Sequence, residues 1–366
     1  MRSKVLFVVQ LPPPLHGSSS INKAFVESKI LNDSFNIKVL PLKFAKSMED
    51  IGAFSLMKVN KMFLYAFKLM GTLISFSPDL VYFTFSPMGI SFYRDVLYVS
   101  ILKLFRKKIL FHLHVKGITE QCEASKVKKA LYKFAFKNTN IICLSTLLGE
   151  DLRVVYKGVP MVVNNGIVSQ YREPTLDKIE NGRIELLYLS NLMRAKGVFV
   201  LLDALKILKE RNVDFIARIV GKPADVSKEE INRYLLKNQM SECVNVEDGK
   251  YGEDKIRAFR KADIFIHPTL NDAFPLVILE AMQFQLPVIS TFEGSIPEII
   301  NEGVTGLLVQ KNNSIMLADK IATLISNKQM REQMGKEGRK KFLSSFTSDR
   351  MEHTLESIMK NLIQEK

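Results

Sequence analysis

The sequence predicts an α/β protein built as two doubly wound domains in series. Three observations predict it. Short apolar runs alternate with longer amphipathic ones from end to end, the mark of βαβ units and a mostly parallel sheet. The alternation breaks once, at the polar, patternless stretch 169–183 (SQYREPTLDKIENGR), and then restarts. The 366 residues also suffice for two domains of ordinary size. Open α/β sheets bind ligands outside the carboxyl ends of their strands. Two such domains facing each other would therefore place two ligand-binding edges against one cleft.

The first domain is expected over 1–168. Its opening apolar run, 5–11, follows Met1-Arg2-Ser3-Lys4 and so looks superficially like a signal peptide. Three prolines at 12–14 stop it and no small-residue cleavage site follows, so a buried first strand at 4–10 is expected. Further strands are predicted at 36–40, 80–84, 108–114, 140–144 and 161–163, with helices at 18–31, 54–76, 90–105 and 124–137. The stretch Met57–Phe76 comes nearest to a membrane span, but Lys58, Lys61 and Lys68 interrupt it. No apolar run reaches the ~18 residues a span needs.

After the expected linker 169–183, the second domain is predicted over 184–346. Strands fall at 184–190, 214–220, 243–246, 263–267, 287–290 and 306–309; helices fall at 198–210, 227–238, 253–261, 276–283 and 296–301. Helices fill the remainder. The C-terminal one, 347–366, is expected to pack back onto the first domain.

Composition narrows the function classes. The chain is 47% hydrophobic and 25% charged, a globular balance. Its formal net charge of +14 fits nucleic acid, an anionic membrane surface or anionic substrates. Cys122, Cys143 and Cys243 are scattered and no CxxC occurs, so neither a disulfide frame nor a thiolate zinc site is indicated. No GxGxxG follows the first strand, which counts against a dinucleotide oxidoreductase. No GxxxxGK[ST] exists, which counts against a nucleoside triphosphatase.

Six strand-to-helix or strand-end segments carry the candidate chemistry. NDAFPLVILEAM (271–282) puts Asp272 in a loop and Glu280 about one turn into the next helix. Two carboxylates beside the amides of 273–276 suit a polyhydroxylated, anionic ligand such as a nucleotide sugar. SNLMRAKG (190–197) places Arg194 and Lys196 before a helix start, a fork and a point charge fit for a diphosphate. Gly221-Lys222 repeats that signal more weakly. QLPPPLHGSSS (10–20) brings Gly17 and small residues to a helix N-terminus, where anions are favoured or where a serine simply caps. FHLHV (111–115) sets His112 and His114 on one strand face, as metal ligands, a structural pair or a substrate-contacting imidazole. No third ligand and no D-x-D accompanies them, and His114 lies nearer the strand's carboxyl end. TFEGSIPE (291–298) again joins strand to helix, with a Gly-Ser pair that permits close backbone approach.

These segments together resemble glycosyltransferase family 4. The likeness is most specific from 267 to 306 (DAFPLVILEAM, LPVIST, EGSIPEII, EGVTGLLV) and extends to SNLMRAKGV, PPPLHGSSS, HLH and VVNNGI. It implies a GT-B fold, two Rossmann-like domains facing across a cleft, and retaining transfer from a nucleotide sugar. It implies that Glu280 holds the ribose hydroxyls and that Asp272 contacts the donor sugar. Phe274, Pro275 and Leu276 would belong to the loop meeting sugar and phosphates, and Lys196 would contact the diphosphate. His114 would lie near donor sugar and acceptor, Gly17 would face the diphosphate, and Asn165 and Gly166 would sit near an interdomain hinge. The sequence departs from the family twice. The family's first glutamate is Asp272, whose reach is shorter by about 1.5 Å. The family's arginine falls at Asn191, leaving Arg194 to supply the guanidinium.

The implied activity is a metal-independent hexosyltransferase with no cofactor beyond a UDP- or GDP-linked co-substrate. Its expected acceptor is a saccharide, lipid-linked, in bacterial O-antigen, capsule or exopolysaccharide synthesis. Lys58, Lys61, Lys68, Lys103, Arg106, Lys107, Lys108, Lys126, Lys128 and Lys129 make the first domain basic. That favours a cytoplasmic protein peripheral on the anionic inner face of the membrane. The competing reading is a basic nucleic-acid- or membrane-binding protein without transferase activity. Nucleic acid is disfavoured because neither basic–aromatic interleaving nor a known module is present. A sugar phosphorylase on the same fold would need a longer chain and a cofactor lysine.

Overall fold

The structure, a computed structural model, describes residues 2–14, 17–44, 56–170 and 182–365. It divides into two compact units, Met1–Gly166 with Ser348–Lys366, and Ile167–Thr347. Most of the expected linker, 171–181, lies outside the described residues, as do Leu15 and His16 of the first strand-to-helix loop.

The first unit runs β1 (Lys4–Val9), α1 (Gly17–Glu27), α2 (Lys29–Ser34), β2 (Asn36–Pro41), α3 (Leu56–Phe76), β3 (Leu80–Thr84), α4 (Gly89–Leu104), β4 (Lys108–Leu113), α5 (Ile118–Ala124), α6 (Lys126–Phe136), β5 (Asn140–Cys143), α7 (Thr146–Glu150) and β6 (Met161–Val162). Its six parallel strands are ordered β2-β1-β3-β4-β5-β6. Val5 to Val9 and Leu80 to Phe83 are wholly buried. Strands covered on both faces read as continuous apolar runs, which is why they were legible.

One expected helix is two, and another has an unexpected helix before it. Residues 18–31 break at Ser28, whose extended backbone (ψ 121°) and Oγ cap the Leu31 amide at 3.2 Å. The expected helix 124–137 is α6, started by Ser125, whose Oγ accepts from the Lys128 amide at 3.3 Å, and the short helix α5 before it was not expected. A serine that accepts from the amide three residues on starts a helix of its own.

The second unit runs β7 (Glu185–Leu189), α8 (Val198–Glu210), β8 (Ile216–Val220), α9 (Lys228–Lys237), β9 (Val244–Glu247), α10 (Gly252–Lys261), β10 (Ile264–His267), α11 (Leu276–Gln283), β11 (Val288–Thr291), α12 (Ile296–Ile299), β12 (Gly306–Val309), α13 (Ser314–Ser326) and α14 (Lys328–Ser345). Its six parallel strands are ordered β12-β11-β10-β7-β8-β9. Leu186, Tyr188, Ile264 and Ile266 from the sheet join Leu201 and Leu205 of α8 and Leu317 and Ile321 of α13 in one core. α15 (Ser348–Gln364) returns to the first unit. There it buries Met351, Leu355, Met359 and Leu362, and Lys108 Nζ donates to the Leu362 carbonyl at 2.6 Å. Among the described residues no helix is long and apolar enough to cross a membrane.

Candidate active site

Strand order fixes where each unit can bind. In the second sheet the chain moves outward from β7 to β9, then returns to β10 on the other side of β7. Neighbouring strands whose connections leave in opposite directions open a crevice at their carboxyl ends. The loops after β7 and β10 flank that crevice, and they carry Lys196 and Asp272. Lys196 Nζ lies 2.5 Å from Asp272 Oδ2 and 3.3 Å from the Asn271 carbonyl oxygen.

The backbone explains how two loops 75 residues apart hold this pair. The Ala195 carbonyl accepts from the Leu270 amide (2.8 Å), the Asn271 amide (3.2 Å) and Thr269 Oγ1 (3.2 Å). Gly197 has φ 75°, and a Cβ there would stand 1.9 Å from the Pro268 carbonyl oxygen. Only glycine takes that conformation at that distance. Behind the β10 loop, Gly294 (φ 53°) brings its own turn against the Asp272 carbonyl, and the Ser295 amide donates to the Ala273 carbonyl at 2.9 Å. Glu293, 2% exposed, accepts from the Asp272 amide at 3.3 Å and from Lys311 Nζ at 2.8 Å.

The electrostatics follow from these contacts. His267, buried at the end of β10, places Nε2 3.6 Å from Asp272 Oδ2, beyond hydrogen-bond length. Burial pushes its imidazole below the ordinary range, with Asp272 opposing. Burial also works against charge on Asp272, but His267 and Lys196 outweigh it and hold the carboxyl below its usual value. Glu280 is reversed: burial pushes its carboxyl up, and Lys255 of α10 opposes from 2.5 Å.

Other residues expected at the site have different partners. Arg194 does not join the Lys196–Asp272 pair; its guanidinium binds Glu230 and lies 4.7 Å from the Phe199 ring centre. Asn191 is exposed. Gly221 serves packing, since a Cβ there would stand 2.0 Å from the Ser190 carbonyl oxygen. Phe274 is buried with its ring 6.1 Å from that of Phe346, so its side chain anchors the loop. Pro275 is the N-cap of α11, and Leu276 is its first helical residue rather than part of the loop.

In the first unit the reversal of connections lies between β1 and β3. Gly17 opens α1 after β1, and a Cβ there would meet nothing within 4 Å. Gln10 Nε2 bonds Ser86 Oγ at 3.3 Å, tying the two loops. His114 follows β4, its ring 4.1 Å from that of buried His112. His112 Nδ1 meets the Tyr82 hydroxyl at 2.7 Å. Burial, then His114, pushes the His112 imidazole well below its ordinary range. Asp151 steadies the loop beyond by accepting from the amides of Gly117, Ile118 and Thr119 at 2.6–2.8 Å. Among the described residues no group of three or more His, Cys, Asp or Glu is placed to hold a metal.

Lys255, Glu293, Lys311 and His267 were not singled out by sequence. Glu293 and His267 stand inside or beside the motifs already quoted. Lys255 sits on a helix of ordinary charged surface, and only tertiary packing brings it to Glu280.

Residues 174–341, nearly the whole second unit, match the model of glycosyl transferases group 1. An uncharacterized glycosyltransferase of Methanocaldococcus jannaschii is 30% identical over 225 residues, covering 60% of this chain and 59% of the relative. The capsular polysaccharide biosynthesis glycosyltransferase CapM of Staphylococcus aureus is 27% identical over 203 residues, covering 55% and 51%. The chain thus spans about half the length of these curated relatives. The crystal structure of HepE from Anabaena in complex with UDP superposes with a TM-score of 0.78 at 17% identity, over 98% of this chain and 100% of that one. At that identity the likeness establishes the fold, which is GT-B.

Proposed function

We propose that the protein transfers a sugar from a UDP- or GDP-linked donor to a saccharide acceptor in cell-surface polysaccharide synthesis. The observation that carries this reading is the Lys196–Asp272 pair at the crevice of the unit that matches glycosyl transferases group 1. CapM, a relative, is named for capsular polysaccharide biosynthesis, and HepE, of the same fold, binds UDP.

The reaction breaks the bond from the anomeric carbon to the diphosphate and forms one to the acceptor oxygen. Lys196 and the first amides of α11, which have no intrahelical acceptor, favour the leaving diphosphate without a metal. Glu280 accepts from the ribose hydroxyls. Asp272, ionised, orients the sugar and favours positive charge developing at its anomeric carbon. Retention follows from attack on the departing face, the leaving phosphate taking the acceptor proton. A nucleophilic carboxylate would instead give a covalent intermediate. In the first unit, His114 is the residue proposed for donor sugar and acceptor, and Gly17 the one proposed for the diphosphate.

The lipid-linked acceptor and the peripheral, inner-face location rest on α3. This 21-residue helix has Lys58, Lys61 and Lys68 and no acid, yet leaves Phe63, Leu64, Phe67 and Ile74 50–70% exposed. Apolar side chains flanked by lysines suit an anionic bilayer surface.

A thermal-shift panel of UDP-, GDP- and ADP-sugars tests the donor. A ligand bound only by the folded state raises its stability with occupancy, about 2.7 kcal/mol at a hundredfold excess over Kd. A uridine or guanosine sugar is expected to shift the melt. No shift with any of them, alongside salt-sensitive DNA binding, would transfer the protein to the nucleic-acid class.

A further inference from the structure

We infer that Lys255 is a positioning residue that fixes Glu280 as a two-oxygen acceptor for the ribose diol of the bound nucleotide. This rests on the reading of Glu280 as the ribose ligand.

Glu280 and Lys255 come from different helices, α11 and α10, and their side chains are only 22% and 28% exposed. Lys255 Nζ takes Oε1 at 2.5 Å, and Oε2 has no hydrogen bond among the described residues. An ionised carboxylate offers about four lone-pair sites. One bond from Lys255 therefore leaves acceptor capacity on both oxygens, enough for two vicinal hydroxyls. A protonated carboxyl would instead present a donor to one of them. Burial favours that neutral form, and the ammonium opposes it. Lys255 also sets direction, since a cation bound to one oxygen limits how the carboxylate can turn. The pair thus holds the acceptor charged and aimed before nucleotide arrives, and preorganisation of this kind lowers the cost of binding.

The test compares UDP with 2′,3′-dideoxyuridine diphosphate, and GDP with its dideoxy analogue, by calorimetry at pH 7. The wild type is expected to prefer the ribose form by about tenfold or more for one base, as for hydrogen bonds to a charged acceptor. Lys255→Met is expected to reduce that preference to about threefold or less while the affinity for the dideoxy form stays nearly constant. Lys255→Arg is expected to restore it. A general packing defect would weaken both ligands alike and would not separate them. If Lys255→Met fails to fold, Lys255→Gln carries the same comparison. Preference retained without the charge overturns the role of Lys255 and leaves the ribose reading standing. A wild type indifferent to the diol for both bases overturns the ribose reading, and this inference with it.

Discussion

At the residue scale, Asp272 is the side chain on which most depends. It pairs with Lys196, faces His267 and shares its amide with Glu293. Asp272→Asn keeps the shape and removes the charge. Steady-state kinetics should show kcat reduced by about 10²–10³, the size of losing one group that favours transition-state charge, with residual turnover. Glu280→Ala should instead act on binding, weakening nucleotide about tenfold or more with a smaller effect on kcat. A trapped glycosyl ester on Asp272 would overturn the same-face mechanism. Both acids were legible because the strand–loop–helix register places them. Their cationic partners were less so. Arg194 looked as suitable as Lys196 by sequence, and only the geometry assigns it to Glu230.

Histidines set a pH dependence at the same scale. His112 and His267 are buried and have folded pKa values below the ordinary one. Below about pH 6.5 the unfolded chain binds protons that the folded form refuses. Their contribution is therefore fully present above that pH and is lost as pH falls toward the folded values. Asp272 adds stability of the same sign at lower pH, lost as pH falls through its depressed value. Melting temperature should drop between pH 7.5 and 5.5. His112→Gln, which keeps a partner for the Tyr82 hydroxyl, should flatten that drop.

At the element scale, the site is an arrangement of loops held by backbone. Gly197→Ala meets both positive φ and the Pro268 carbonyl. Strain of this kind costs of order 1–3 kcal/mol, and relief by moving the loop would part Lys196 from Asp272. A lowered melt together with a lost nucleotide-induced shift is expected. Helix α3 makes a separate prediction. Leu64→Glu with Phe67→Glu should abolish flotation with anionic liposomes at low salt while leaving donor binding intact, and undiminished flotation would remove α3 from the membrane reading. Strands β7 to β12 were legible because Gly, Pro or polar residues bound each apolar run. The break at Ser28 was not, because FVESKIL keeps a helical period through a residue whose backbone is extended. α7 was missed because five residues carry no period.

At the scale of the whole molecule, the chain leaves the first unit after Gly166 and re-enters it at Ser348. Residues 347–366 were legible as a helix, and its docking was expected. Its energetic weight is a matter of packing. Met351, Leu355, Met359 and Leu362 are 0–5% exposed. At about 1.5–3 kcal/mol each, their burial contributes roughly 6–12 kcal/mol, comparable to the whole net stability of a domain. A chain stopped at Thr347 should keep a protease-resistant second unit and lose resistance in the first, as limited proteolysis with mass spectrometry would show.

That return also dictates an order of birth. Synthesis runs from the amino end, and domains generally fold as they emerge. Here the unit begun earliest waits for α15, made after all of 167–347. The second unit can mature first, while the first, its six strands already made, stands without α15 and open to chaperones.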